Sequence, residues 1–375
     1  MTTTSASLPL PLSPAAQRRG EEIASREDSW PWNPTFTPLA AEEAPDGGWP
    51  RISVVIPSYN QGAFLEEALR SLLLQGYPDL EILVLDGGSD DESVSILEHY
   101  DAHLSFWQSA PDEGQSDAIN RGFERATGKT VTFFSSDDRY APGTLAAVAH
   151  LAAAHPKAGV LAGAFRFIDG ISATTSPLVL PRLPFYGKGR QRDSAGPVDL
   201  ALVPPSDWRI HQVTCFYTAE ALDAVGRRVE KELRYTMDRE LLYRVLRAYP
   251  AAISEQHWAD FRRHQESKSE ADILPFAEEM AELQFLAVPE EETATHRHRR
   301  QRIANHRRAR GRLKLARARS RAGEGLWRRC APLLAAIKHQ PGLLGSRGFL
   351  RHWARSLGLM AEAQSSLATR REQAT

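Results

Sequence analysis

The sequence predicts an α/β protein built on a mainly parallel sheet covered by helices, followed by a basic helical extension. Short β-branched apolar runs alternate with helical stripes from Arg51 onward, polar residues gather directly after those runs, and charge divides the chain into two unlike parts. The first run, 52–57, is nearly continuous in apolar residues, as a strand buried on both faces requires. Phe64, Leu65, Ala68, Leu69, Leu72 and Leu73 then recur at helical spacing, and Gly76-Tyr77-Pro78 stops that helix. A second strand over 80–85 ends at Asp86-Gly87-Gly88-Ser89, with Ser89 or Asp90 capping a helix that holds Val94, Ile96 and Leu97. The pattern continues with a strand over 103–108, a helix over 116–126, and a strand over 130–134 that runs into Ser135-Ser136-Asp137-Asp138. Beyond it, strands are expected over 160–168, 210–217 and 251–263, helices over 220–225 and 237–248, and a long Pro-, Gly- and Arg-rich loop over 177–205. Alternation of this kind implies right-handed crossovers, and such sheets bind ligands beyond the carboxyl ends of their strands. Ser58-Tyr59-Asn60, Asp86 and Asp137-Asp138 all fall there.

The formal net charge of -1, from 46 Lys+Arg and 47 Asp+Glu, hides a division. Residues 291–375 hold 20 basic and 5 acidic side chains, a net +15, whereas 1–290 hold 26 and 42, a net -16. The two parts therefore call for different partners. Hydrophobic content of 42% excludes wholesale disorder. Two cysteines, Cys215 and Cys330, exclude a disulfide scaffold and a four-cysteine zinc site. No apolar run reaches the roughly 18 residues of a spanning helix, since His150, His155, Pro156 and Lys157 interrupt the nearest candidate. The first residues lack a basic region, and Pro9, Pro11 and Pro14 break their apolar stretch, so a signal peptide is not expected and the cytoplasm is. The organisation expected is a disordered Pro-rich leader over 1–50, which Trp30, Trp32 and Phe36 would pin in part, a folded domain over 51–271, and a basic helical extension over 272–375.

Paired carboxylates where a buried strand emerges can hold a hard divalent cation through oxygen, or one of them can cap the next helix. Asp137-Asp138 is open to both readings. Asp86 can accept from a base N–H or a sugar hydroxyl, with Gly87 and Gly88 letting a ligand reach the backbone, or it can close an ordinary turn.

Taken in order, 52–60 (ISVVIPSYN), 86–91 (DGGSDD), 112–122 (DEGQSDAINRG) and 135–142 (SSDDRYAP) resemble the family-2 glycosyltransferases. The resemblance covers roughly 51–271 and implies the three-layer α/β/α A-type fold of enzymes that use nucleotide-diphosphate sugars and invert the anomeric carbon. It implies that Pro57 and Tyr59 line the nucleotide pocket and that Asp86 reads the base, with a UDP-sugar as the first choice of donor. Gln115 and Asp117 would lie near the ribose or diphosphate. The Asp-x-Asp-type motif stands here as Ser136-Asp137-Asp138, so Asp138 would hold Mg²⁺ or Mn²⁺ and Asp137 the ribose or donor sugar. Tyr235 to Glu240 resembles the segment that carries the family's catalytic base. There Asp238 is preferred to Glu240, which points elsewhere on a helix. His264 is a candidate second metal ligand, or part of a solvated basic turn. Arg262, Arg263 and Lys268 are candidates for the diphosphate, and Gln212 matches a family position whose role stays open. The acceptor would be a glycan or a lipid-linked molecule, in synthesis of cell-surface polysaccharide or glycolipid. A nucleotidyltransferase and a non-catalytic nucleotide-sugar-binding adaptor are the alternatives.

In the extension, 296–321 is dense in Arg, and two apolar stripes follow: Leu326, Trp327, Cys330, Leu333, Leu334 and Ile337, then Phe349, Leu350, Trp353, Leu357 and Met360. Basic amphipathic helices of this kind suit a peripheral contact with the inner face of a membrane. Packing on a partner or on the chain's own domain is the other reading. No nucleic-acid motif accompanies the charge.

Overall fold

The computed structural model describes residues 8–18, 30–32, 35–181, 210–264, 273–283 and 326–339, with isolated positions between 301 and 312. The chain divides into two compact units, Met1–His264 and Gln265–Thr375. In the first, the strands are β1 (Ile52–Ser58), β2 (Leu80–Asp86), β3 (Phe106–Ser109), β4 (Thr130–Phe133), β5 (Arg139–Tyr140), β6 (Val160–Ile168), β7 (Cys215–Thr218) and β8 (Ala251–Arg262). The helices are α1 (Gly62–Leu73), α2 (Ser93–Tyr100), α3 (Gln115–Arg125), α4 (Thr144–Ala154), α5 (Ala219–Ala224) and α6 (Met237–Ala248). Among the described residues these eight strands form one sheet in the order β3-β2-β1-β4-β7-β6-β8-β5, apart from a separate two-stranded pair in the leader. The β3-β2-β1-β4 half is parallel, β7 runs against both neighbours, and β6 and β8 are again parallel to each other. Because β7 reverses direction twice over, β6 and β8 end at the same edge as β1 to β4. That common edge receives every polar turn singled out above.

Burial explains the pattern. All seven residues of β1 are buried. Ile52, Val54 and Ile56 meet Leu65, Ala68, Leu69 and Leu72 of α1 on one face, in a core shared with α2 and α4. On the other face α3 lies so close that a Cβ on Gly122 would stand 2.2 Å from Val55 Cγ1, so only glycine fits. With helices on both faces the unit is a three-layer α/β/α fold, as expected.

Three expectations change. The strand expected over 210–217 shrinks to β7, because Gln212–Thr214 form a tight helical turn, held where Gln212 Nε2 donates to Phe133 O at 2.5 Å. The strand expected over 103–108 begins only at Phe106. The leader is not disordered over 8–18, 30–32 and 35–50. Leu8–Pro9 pairs with Thr35–Phe36, and Trp30 Nε1 donates to Tyr140 O at 2.7 Å. Its other anchors are the charged residues of α1. Arg70 donates to Leu10 O (2.8 Å), Pro11 O (3.2 Å) and Pro31 O (3.1 Å), and Glu66 accepts from Ser13 N (2.9 Å) and Tyr100 OH (2.9 Å). Proline cannot donate, but its carbonyl accepts, so a Pro-rich strand can satisfy a buried guanidinium. Most of the loop expected over 177–205 lies outside the described residues.

In the second unit, Ile273–Glu282 and Leu326–His339 are helical. Arg308 and Arg312 reach Glu278 at 2.6 and 3.4 Å. The second apolar stripe, 349–360, lies outside the described residues. Among the described residues no helix is long and apolar enough to cross a membrane.

Candidate active site

At the β1 edge Pro57 is buried within the strand, while Tyr59, one step beyond it, is 63% exposed. Two loops are laced beneath the tyrosine. Asn60 takes a left-handed backbone (φ 52°), its N–H donates to Ser89 Oγ at 2.7 Å, and its Oδ1 accepts from Asp90 N at 3.0 Å. Gly62 N donates to Asp91 Oδ2 at 2.7 Å.

Asp86 is drawn inward. Its carboxylate accepts from Gly88 N (3.2 Å), Ser89 N (2.9 Å), Ser89 Oγ (2.5 Å) and Ser109 Oγ (2.6 Å). A carboxylate offers about four acceptor positions, so Asp86 ties the β2 turn to β3 with its capacity already used. The acid facing the niche is Asp112. A Cβ on Gly87 would stand 3.2 Å from Asp112 Oδ2 and 3.3 Å from Tyr59 Cδ2. Glycine thus keeps open a slot floored by backbone, with an aromatic ring and a carboxylate beside it. The sequence places Asp112 within a motif but assigns it no role. An acid two residues before the glycine that opens α3 was the available signal, since its Oδ1 accepts from Gly114 N at 2.7 Å.

Gln115 opens α3 at the same edge, and Asp117 lies within its first turn. Asp117 is buried against Lys231 Nζ (2.5 Å) and Arg121 Nη2 (2.8 Å). Burial opposes its ionisation, but hydrogen bonds from Lys231 and Glu113 N, with the Arg121 charge, hold its pKa below the ordinary carboxylate range.

The β4 turn and the end of β8 form the second part. Asp138 is fully buried. Its Oδ1 accepts from Arg262 N at 2.8 Å, and its Oδ2 takes no hydrogen bond among the described residues. Burial and then the neighbouring Asp137 charge push its pKa well up, against the opposing pull of the Arg262 N–H and charge. Asp137 is the open member of the pair, its Oδ2 3.0 Å from His264 Nε2, with both side chains partly exposed. His264 also packs on Phe64 at 4.9 Å. The sequence assigned the ion to Asp138; in the structure the acid that faces another donor is Asp137, because the β8 main chain has already drawn Asp138 inward. Among the described residues no three acidic, His or Cys side chains converge as a metal cage. A carboxylate beside an imidazole nevertheless fits Mg²⁺ or Mn²⁺ bound jointly with substrate phosphates and water, and the orphaned Asp138 oxygen shows a surplus of negative acceptors there.

Arg262 is no diphosphate ligand in this arrangement. It is fully buried and donates to Asp137 O, Asp169 O and Ser172 Oγ. Arg263 is exposed over the Phe167 ring, 3.8 Å from its centroid, and Lys268 lies outside the described residues.

Asp238 is the second residue of α6 and half-buried, with Cys215 and Tyr217 of β7 within reach of its charge. Cys215 opens β7 at the strand-end edge. Glu240 is occupied by Arg244, at 2.9 Å from Nε and 2.6 Å from Nη2. His211 is pushed down to about 3 by burial, with Arg239 and Arg263 adding to the shift, so it is neutral near pH 7.

Residues 53–200 match the family model described as Glycosyl transferase family 2, and the chain carries a domain of that family. Among curated proteins, an uncharacterized glycosyltransferase of Rickettsia typhi is 27% identical over 53% of this chain and 59% of its own. The GalNAc(5)-diNAcBac-PP-undecaprenol beta-1,3-glucosyltransferase of Campylobacter jejuni is 33% identical over 26% of this chain and 32% of its own. The chain spans less than two thirds of these relatives. Among solved structures, the mannosyltransferase PcManGT from Pyrobaculum calidifontis in complex with GDP-Man and Mn2+ is 18% identical, with a TM-score of 0.49, over 94% of this chain and 93% of its own.

Proposed function

Because the chain carries a glycosyl transferase family 2 domain, we propose that it moves a sugar from a nucleotide-diphosphate donor to an acceptor hydroxyl. The observation that carries the assignment is the Asp137–His264 pair, 3.0 Å apart at the edge where six strands end. The nucleotide stacks on Tyr59 over Gly87, with Asp112 accepting from its base or ribose and Pro57 and Asp86 shaping the pocket from below. Gln115 borders the ribose, and Asp117 keeps α3 in place through Lys231. Asp137 and His264 would hold Mg²⁺ or Mn²⁺, which would supply neutralisation of the departing diphosphate. Asp138 anchors the turn that carries Asp137. Asp238 takes the proton of the acceptor hydroxyl as that oxygen attacks the anomeric carbon. The new glycosidic bond forms as the bond to the diphosphate oxygen breaks, on opposite faces, so configuration inverts.

A lipid-linked glycan at the inner membrane face is the acceptor we favour. The undecaprenol-linked substrate in the name of the Campylobacter relative supports it, as does a +15 extension suited to an anionic surface. Release of nucleoside diphosphate from a panel of UDP-, GDP- and dTDP-sugars, with Mn²⁺, Mg²⁺ or EDTA, tests the reaction. Binding without release from any donor would leave a sugar-binding adaptor instead.

A further inference from the structure

We infer that Arg262, backed by Glu67, is a positioning residue that sets the spacing of Asp137 and His264. The inference rests on the reading that this pair holds the metal ion. Asp260 and Arg262 lie on one face of β8, His264 follows two residues past its end, and each of the three engages the segment 137–139. Asp260 Oδ2 accepts from Arg139 Nε at 2.8 Å, the Arg262 main chain donates to Asp138 Oδ1 at 2.8 Å, and His264 meets Asp137 Oδ2. Arg262 acts twice, because its Nε also donates to Asp137 O at 2.6 Å. One residue therefore grips the peptide of Asp137 and the carboxylate of Asp138, two positions before His264.

The guanidinium is fixed from behind. Nη1 donates to Asp169 O (2.9 Å) and Ser172 Oγ (2.8 Å), Nη2 is 2.9 Å from Glu67 Oε2, and the group lies over Phe64 with its carbon 4.8 Å from the ring centroid. Phe64 is the ring on which His264 packs. Arg262 and Glu67 are both fully enclosed, so neither can reach a substrate. A buried ion pair seldom adds stability over apolar packing. A planar fork of N–H donors does supply fixed directions, which a flexible ammonium cannot. What the pair contributes is geometry at the open end of β8.

The test uses the full chain in three forms: wild type, Arg262→Lys, and a charge-balanced double variant carrying Glu67→Gln and Arg262→Met. Free Mn²⁺ is followed by electron paramagnetic resonance during titration in the presence of UDP and, separately, GDP. Urea unfolding and metal-free nucleotide binding are measured beside it. Both variants are expected to unfold cooperatively and to bind metal-free nucleotide as the wild type does, while their Mn²⁺ affinity falls about tenfold or more. Arg262→Lys keeps the buried charge, so it carries the test if the double variant fails to fold. Wild-type Mn²⁺ affinity in folded Arg262→Lys would overturn the inference and leave the metal reading standing. An equal loss of metal-free nucleotide binding would also overturn it, as general damage. Absence of Mn²⁺ uptake by the wild type would remove the metal reading and this inference together.

Discussion

The two halves of the strand-end edge are built in opposite ways. At β1 to β3 the contacts span about 30 residues or fewer and lie mostly at the surface: Asn60 with Ser89 and Asp90, Gly62 with Asp91, and an exposed Tyr59 over a glycine floor, with only Asp86 buried beneath them. At β4 and β8 they are long-range and dry. Glu67, Arg139, Asp260 and Arg262 are all buried and paired across 72 to 121 positions of chain where they meet Arg139. The first half tolerates change, because water can replace a lost partner. The second does not, because a charge left alone in a low-dielectric interior has no substitute.

Asp238→Asn should break the reaction while leaving both halves intact. Transfer falls about 10²- to 10⁴-fold with donor affinity kept, as read by turnover and by nucleotide binding on the same sample. Near wild-type turnover would remove Asp238 as the base. Glu67→Gln attacks the dry half alone. Loss of one partner from a buried pair costs about 3–5 kcal/mol, so the urea midpoint should drop markedly. A midpoint unchanged within error would mean that water reaches this network. In the surface half, Tyr59→Ala removes a stacking face worth about 1–3 kcal/mol per base and should raise the donor KM without moving the unfolding midpoint. Gly87→Ala puts a methyl between Tyr59 and Asp112, and the same shift in KM is expected at the lower end of that range.

The smallest effect concerns pH. Asp117 has a folded pKa below its unfolded value, so its contribution to stability is present above the ordinary carboxylate range near 4 and is lost as pH falls through the folded value. Lys231→Met weakens that depression. The acid limb of the stability profile should then move to higher pH, by a small amount because Lys231 is exposed. A displacement toward lower pH would contradict the pairing.

Much of the first half was legible in advance for a simple reason. β1 and β2 are nearly continuous apolar runs, and the residues that end or follow a buried strand sit at the sheet edge, so Tyr59 and Asp86 could be placed together from the sequence. The leader was misread because proline content argues against helices and strands but says nothing about whether carbonyls will find a buried arginine. Arg262 was expected at the diphosphate because a basic side chain at a strand's carboxyl end suits a phosphate, whereas its guanidinium turns inward to Glu67. Only its alternation with Asp260 hinted at one shared face. Glu66, Glu67 and Arg70 gave no warning at all, since charges on an amphipathic helix usually face water.

Periodicity and order along the chain, which are local properties, therefore determined the fold class and the edge to which the polar turns come. The division of labour within that edge was decided in three dimensions. Asp86 is saturated and Asp112 faces the niche, while Asp138 is enclosed and Asp137 meets His264. Each outcome depends on which distant donor reaches the carboxylate first, and partners 23 to 127 residues away cannot be read from the identity of the acid.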